Sequence, residues 1–161
     1  MPVLPITIRT ARASDADTLV AFNAAMALET ENLTLDRAVL ASGVRAALAD
    51  ETKATYYVAV VDGDVVGQLM ITHEWSDWRD GDIRWIESVY VHPGHRGRGV
   101  FSSLYRHVEH LARDRRAAGI RLYVETQNAS ARATYGKLGM QLTPYAIMEC
   151  IFKSAGEAEG A

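Results

Sequence analysis

The chain has 161 residues, of which 48% are hydrophobic, 23% charged and 8% aromatic. This suits one domain around one core and excludes disorder for the bulk of the chain. No apolar run approaches the ~20 residues that cross a bilayer. Met1 to Arg12 has no basic segment followed by a long apolar stretch, so no secretory leader and no membrane partner are expected. A lone cysteine, Cys150, excludes an internal disulfide framework and a cysteine-only metal site, and a cytoplasmic protein is the expectation.

Seventeen basic residues against 20 acidic give a net charge of -3, but the charge is unevenly spread. From His92 to Arg121 there are seven arginines (96, 98, 106, 113, 115, 116 and 121) against Glu109 and Asp114, leaving ten basic and eighteen acidic residues elsewhere. A local basic patch on an acidic chain suits a small polyanionic ligand. A nucleic-acid binder is more often basic over a whole face, so no nucleic-acid partner is expected.

In chain order, Pro5–Thr10 is predicted as a short strand. A helix follows from Ser14, with Asp17 in capping-box position and Leu19, Phe22 and Met26 at helical spacing to about Leu28. Glu29–Asn32 is polar and expected as a loop. A second helix spans roughly Asp36 to Ala49. Thr55–Val61 reads as a strand, Asp62-Gly63 as a hairpin turn, Val65–Trp75 as the returning strand and Ile83–Val91 as the next, together an antiparallel meander. After Pro93 comes a glycine-rich turn, then a helix from Val100 to about Ala118 ended by Gly119. Ile120–Glu125 is predicted as a strand parallel to the one before the helix. Ser130–Leu138 is a short helix closed by Gly139, and Met140–Thr143 and Ala146–Phe152 are expected as final strands around Pro144. The domain is thus taken as 1–153, with 154–161 as a tail.

The most informative stretch runs Val89-Tyr90-Val91-His92-Pro93-Gly94-His95-Arg96-Gly97-Arg98-Gly99-Val100-Phe101. Glycines let the backbone approach a ligand and take positive φ, and a helix start offers unpaired N–H groups and partial positive charge. The combination suits a phosphate or pyrophosphate, and arginine forks match its oxygens. The P-loop's Gly-Lys-Ser/Thr is absent, and so are the third glycine and repeated strand–helix–strand units of the dinucleotide fingerprint.

These residues resemble the GNAT superfamily of N-acetyltransferases, which carries (Gln/Arg)-x-x-Gly-x-(Gly/Ala) between its fourth strand and third helix, often after Val-x-Pro. Val91-His92-Pro93 and Arg96 to Phe101 stand in that position, with Phe101 where the family has Gly or Ala. A second block, Asn128-Ala129-Ser130-Ala131 with Tyr135, Gly139 and Met140, resembles the family's Asn-x-x-Ala-x-x-x-Tyr-x-x-x-Gly-Phe signature. The resemblance covers roughly residues 6 to 153. It implies an α/β fold with a central mixed, mostly antiparallel sheet of six to seven strands and about four helices, splayed between strands four and five where acetyl-CoA binds.

By this likeness, the backbone around Val89, Tyr90 and Val91 would hold the acetyl and pantetheine groups. Arg96, Gly97, Arg98, Gly99, Val100 and Phe101 would cradle the pyrophosphate, and Asn128 and Ser130 would meet the pantetheine arm or start the following helix. Tyr135 would be the general acid at the sulfur. Glu87 is the first candidate for general base, argued to share the Val89 face by alternation along the strand. The implied reaction is direct acetyl transfer to an amine in a ternary complex, with no metal. Glu29, Trp75, Asp77 and Trp78 lie where the family recognises its acceptor, and acids with Trp faces suit a small cationic amine. Two other readings stay open: a non-catalytic acyl-CoA-binding or sensory module on the same fold, and acetylation of a protein or peptide amine. Homodimers are frequent among such proteins, and no sequence feature decides that state. Cys150 reads as a core residue of the last strand rather than a nucleophile. His107 and His110 are three apart on a helix but lack a third ligand, which disfavours a metal pair.

Overall fold

A computed structural model describes residues 5–155. The expectations about Met1–Leu4, and most of the tail expected from residue 154, lie outside them. Five strands form one sheet in chain order: β1 (Thr7–Thr10), β2 (Thr55–Val61), β3 (Asp64–Ser76), β4 (Gly81–Val91) and β5 (Gly119–Leu122). The first four are antiparallel neighbours. β5 lies parallel to β4, reached by a crossover through α3 (Val100–Asp114). α1 (Ala16–Glu31) and α2 (Arg37–Ala49) join β1 to β2, and α4 (Ala129–Lys137) follows β5. The mixed α/β class is as expected from the sequence.

Local chemistry sets the boundaries. Asp36 caps α2, its Oδ1 accepting the N–H groups of Ala38 at 2.8 Å and Val39 at 3.1 Å. Asp62 and Gly63 both take positive φ, 52° and 86°, which is the turn that matches the twist of a two-residue hairpin. The start of α1 differs from the expected Ser14–Asp17 box. Asp15 accepts the Arg12 N–H at 2.6 Å and both Arg9 guanidinium nitrogens at 2.7 and 3.0 Å. α1 also runs through Glu29 to Glu31, closing on left-handed Asn32. α3 ends earlier than Gly119, because Arg116 takes φ 55° and the Ala117 N–H reaches back to the Ala112 carbonyl at 2.8 Å.

Two clusters sandwich the sheet. On one face α3 packs Val100, Leu104 and Val108 against Ala59, Leu69, Ile71 and Ile86. On the other, α1 and α2 pack Leu19, Val20 and Val44 against Tyr56 and Val58. Gly67 lets α3 sit close: a Cβ there would meet Val100 Cγ1 at 2.8 Å and the Tyr90 carbonyl at 3.3 Å.

The expected final strands do not form. Residues 140–152 have no ladder partner among the described residues, so the sheet has five strands and not six or seven. The residues have strand composition, but composition makes no strand without an edge to pair with, and Pro144 offers no N–H. Cys150 is therefore exposed and not a core residue.

The Arg9 hydrogen bonds hold the Asp15 carboxyl below its ordinary 3.8. Its contribution is present above that value and lost as pH falls through the depressed folded-state value. Asp15→Asn should cost about 1.5–3 kcal/mol at pH 7, as for hydrogen bonds to charged groups. Urea unfolding of both proteins from pH 7 to pH 3 should show that difference shrinking in acid; a constant difference would contradict the assignment.

Candidate active site

The site begins with an irregularity in β4. Met70 pairs with Glu87 and Gln68 with Tyr90, so β4 spends one residue more than β3 over this span. The extra residue is accommodated at Ser88, which takes φ 51°. Gln68 is fully buried and its Nε2 donates to the Ser88 carbonyl at 3.0 Å. Beside it, the Tyr56 hydroxyl accepts from Asn23 Nδ2 at 3.2 Å.

The bulge shifts the phase of the strand. Ile86, Val89 and Val91 all pack on the α3 cluster although Ile86 and Val89 are three apart. Glu87 bonds Thr72 Oγ1 at 2.8 Å, and Tyr90 meets Phe22 of α1 with ring centroids 4.9 Å apart. Glu87 and Tyr90 thus share the α1 face. The expectation that Glu87 shares the face of Val89 is corrected, because simple alternation fails across a bulge.

The same region opens the sheet. β4 and β5 pair only from Ile83–Gly119 to Ile86–Leu122, while β4 continues to Val91. Beyond the last pair lies a cleft of about 610 Å³. It brings together the predicted Val89, Val91, Arg96, Gly97, Gly99, Val100, Phe101, Asn128, Ser130 and Tyr135. Tyr90 and Arg98 do not line it: Tyr90 is buried beneath α1 and Arg98 is exposed in the turn. His95 also lines it, and Ser102, Ala131 and Thr134 are members that the sequence reading missed. The helical spacing of Ala131, Thr134 and Tyr135 from Asn128 was the signal that could have found the α4 members.

At one end of the cleft, Gly97 and Gly99 take φ 73° and 80° with open space where a side chain would stand. Gly99 caps α3 without a side-chain bond, so the first-turn N–H groups have no side-chain acceptor. Arg96 is tied down: its Nε donates to the Val91 carbonyl at 2.9 Å and Nη2 to Glu29 Oε2 at 2.7 Å. Its guanidinium lies 5.4 Å from the Tyr90 ring centroid, and the Tyr90 hydroxyl donates to Glu29 Oε1 at 3.0 Å. Arg96 holds the Glu29 carboxyl below its ordinary value. Glu29, an acceptor candidate by sequence, thus clasps the turn to α1.

At the other end, Asn128 Oδ1 accepts the Ala131 N–H at 3.0 Å and starts α4. This carries Tyr135 into the cleft, its ring 5.4 Å from that of Phe101. Phe101 also packs near Tyr105 at 6.2 Å. Burial pushes the Tyr135 hydroxyl pKa up.

On the α1 side of the sheet, Glu87 and Thr72 continue into a row with Glu74, which accepts from Trp85 Nε1 and faces Arg121 at 3.4 Å. Trp85 stacks on Tyr123 at 4.6 Å. The candidates Trp75, Asp77 and Trp78 lie at the β3–β4 connection, the two tryptophans exposed. His107 packs near Tyr57 and His110 pairs with Asp114, so the two histidines have separate partners.

Gln68→Leu keeps the volume and removes the bond to Ser88. It should destabilise the fold by about 1–3 kcal/mol, measured by urea unfolding. Stability equal to the parent would show that the bulge does not depend on Gln68.

A sequence profile described as the Acetyltransferase (GNAT) family matches residues 22–140. Streptothricin acetyltransferase of Escherichia coli is 35% identical over 94 residues, 58% of this chain and 51% of that protein. Thialysine N-epsilon-acetyltransferase of Bos taurus is 35% identical over 95 residues, 58% of this chain and 55% of that protein. The chain spans about half the length of these curated relatives. A crystal structure of a possible acetyltransferase from Clostridium difficile 630 superposes with TM-score 0.85 at 44% identity, over 94% of this chain and all of that one. With the bulged fourth strand, the splayed cleft and the glycine turn in one place, the match settles the lineage: the chain belongs to the GNAT family of acetyltransferases.

Proposed function

We propose that this chain transfers an acetyl group from acetyl-CoA to the primary amine of a small cationic acceptor, by direct attack in a ternary complex. The observation that carries the reading is the cleft, with a helix start lacking a side-chain cap and two positive-φ glycines at one end and half-buried Tyr135 at the other. These residues fit a pyrophosphate-bearing thioester: N–H groups and open space receive the phosphates, and the apolar Val89 and Val91 flank an extended arm.

Acetyl-CoA would supply the acyl group as an activated thioester. The acceptor amine must lose a proton before it attacks, and Glu87 is the proposed base, with Thr72 orienting its carboxylate. Because Glu87 and Val89 face opposite sides, the acceptor would enter from the α1 side and reach the thioester through the opening where β4 runs on beyond its last pair with β5. The Val89 N–H would hold the oxyanion. Tyr135 would protonate the departing thiolate, and its raised pKa keeps the hydroxyl protonated well above neutrality. Arg96 acts through the turn, because its guanidinium is committed to Glu29. With Glu29 so engaged, Asp77, Trp75 and Trp78 remain the proposed acceptor contacts. Two curated relatives bear names of enzymes acting on streptothricin and thialysine, which supports a small-molecule amine. The single cysteine suits the reducing cytoplasm.

Thiol release from acetyl-CoA, measured against a panel of small amines, tests the reading. Turnover is expected with cationic amines. Tyr135→Phe should lower kcat by about 10²–10⁴-fold, the usual range for a general acid, with little change in the KM for acetyl-CoA. Asp77→Lys should raise the acceptor KM. Tight acetyl-CoA binding without turnover on any small amine would favour the non-catalytic module, and turnover only on a peptide amine would move the acceptor class.

A further inference from the structure

A second cavity, of about 80 Å³, lies between the sheet and the last turns of α3. It shares no lining residue with the cleft at the glycine turn. The 15 residues of α3 separate the two, roughly 20 Å at the helical rise. The floor is apolar, made by Ile71 of β3 and by Val108, Leu111 and Ala112 of α3. The polar groups above it are mostly donors: Arg84 of β4, Arg115 just past α3, and the hydroxyls of Thr55 and Tyr57 on β2. His73 and exposed Glu51 complete the lining.

Arg84 is the unusual member. Its side chain is only 13% exposed, yet its nearest carboxylate, Asp82, lies 3.8 Å away, too far for a hydrogen bond. Among the described residues its hydrogen-bond partner is the His73 ring. Arg115 is exposed, and among the described residues neither its side chain nor the Tyr57 hydroxyl has a hydrogen-bond partner. Glu51 forms no ion pair with either arginine. Burial, and then the nearby Arg115 charge, push the Arg84 pKa down. Burial raises that of Tyr57, so its hydroxyl stays a donor. The last carbonyls of α3 do not face the cavity unpaired: those of Leu111, Ala112 and Arg113 accept the N–H groups of Arg115, Ala117 and Arg116. Two cations over an apolar floor, one of them largely desolvated, form a costly arrangement that an anion relieves.

We propose that this cavity is a second ligand site, which binds a phosphate group between Arg84 and Arg115 with the Tyr57 and Thr55 hydroxyls donating to its oxygens. Guanidinium forks match phosphate oxygens, and two of them favour a dianion over a single carboxylate. The volume is that of a few waters, which admits one phosphate group and excludes a nucleotide. Orthophosphate and a small phosphomonoester share this chemistry, the organic part of the ester lying at the mouth.

Sodium phosphate titrated into the full chain at constant ionic strength, followed by amide NMR, tests the proposal. Shifts should saturate at Thr55, Tyr57, Arg84 and Arg115. Glycerol phosphate forms the second arm: saturating shifts at the same amides assign a phosphomonoester, and shifts with orthophosphate alone assign the free ion. The thermal midpoint of the parent should rise by roughly 5 °C at about fifty times the Kd. Arg115→Gln, at an exposed position, should weaken binding by about 10–100-fold, the worth of a charged hydrogen bond. Arg84→Met should abolish binding and the rise in midpoint. Shifts that never saturate, or that fall only at residues 97–101, overturn the proposal. An equal rise in parent and both variants, the general effect of phosphate on burial, overturns it as well. No step of the test uses acetyl transfer, so its failure is distinct from failure of that reaction.

Discussion

The site depends on one backbone irregularity. At Ser88 the fourth strand takes a left-handed residue, and the buried Gln68 holds the Ser88 carbonyl from the neighbouring strand. The extra residue turns Val89 and Val91 toward α3 and leaves Glu87 facing α1. It lies just where pairing with β5 stops. One insertion thus opens a cleft between two strands that would otherwise zip together, and divides it from the surface carrying the candidate base.

Around that opening, charge is arranged for order as much as for binding. The sequence invites the view that Arg96 and Arg98 both reach for phosphate. Instead Arg96 joins the glycine turn to α1 through Glu29 and Tyr90. On the proposed reading, anion binding at the turn would rest on backbone N–H groups at the start of α3 and on the two left-handed glycines. Such a site needs its loop held still, which is the service a carboxylate–arginine clasp supplies.

Most of the fold was legible in the sequence because its signals are local. The Thr55–Val61 strand, the Asp62-Gly63 turn and the Asp36 cap follow from periodicity and side-chain chemistry within a few residues. The glycine turn and the Asn128 helix start were equally plain. What could not be read depends on partners distant in the chain. Nothing in the Glu87–Tyr90 stretch announces a bulge, since Ser88 is an ordinary strand residue and Gln68 lies twenty positions earlier. Glu29 read as an acceptor ligand because its partner Arg96 is 67 residues away. The last two strands were inferred from composition, which describes a segment fit to pair and not what it pairs with.

The central claim is that the opening between β4 and β5 receives the pyrophosphate and pantetheine of coenzyme A. Hydrogen exchange with and without coenzyme A tests it most directly. Protection is expected at residues 89–91, 97–101 and 128–135, with the other strands and α2 unchanged. Binding that leaves residues 97–101 unprotected, or that protects a different face of the molecule, would contradict the account.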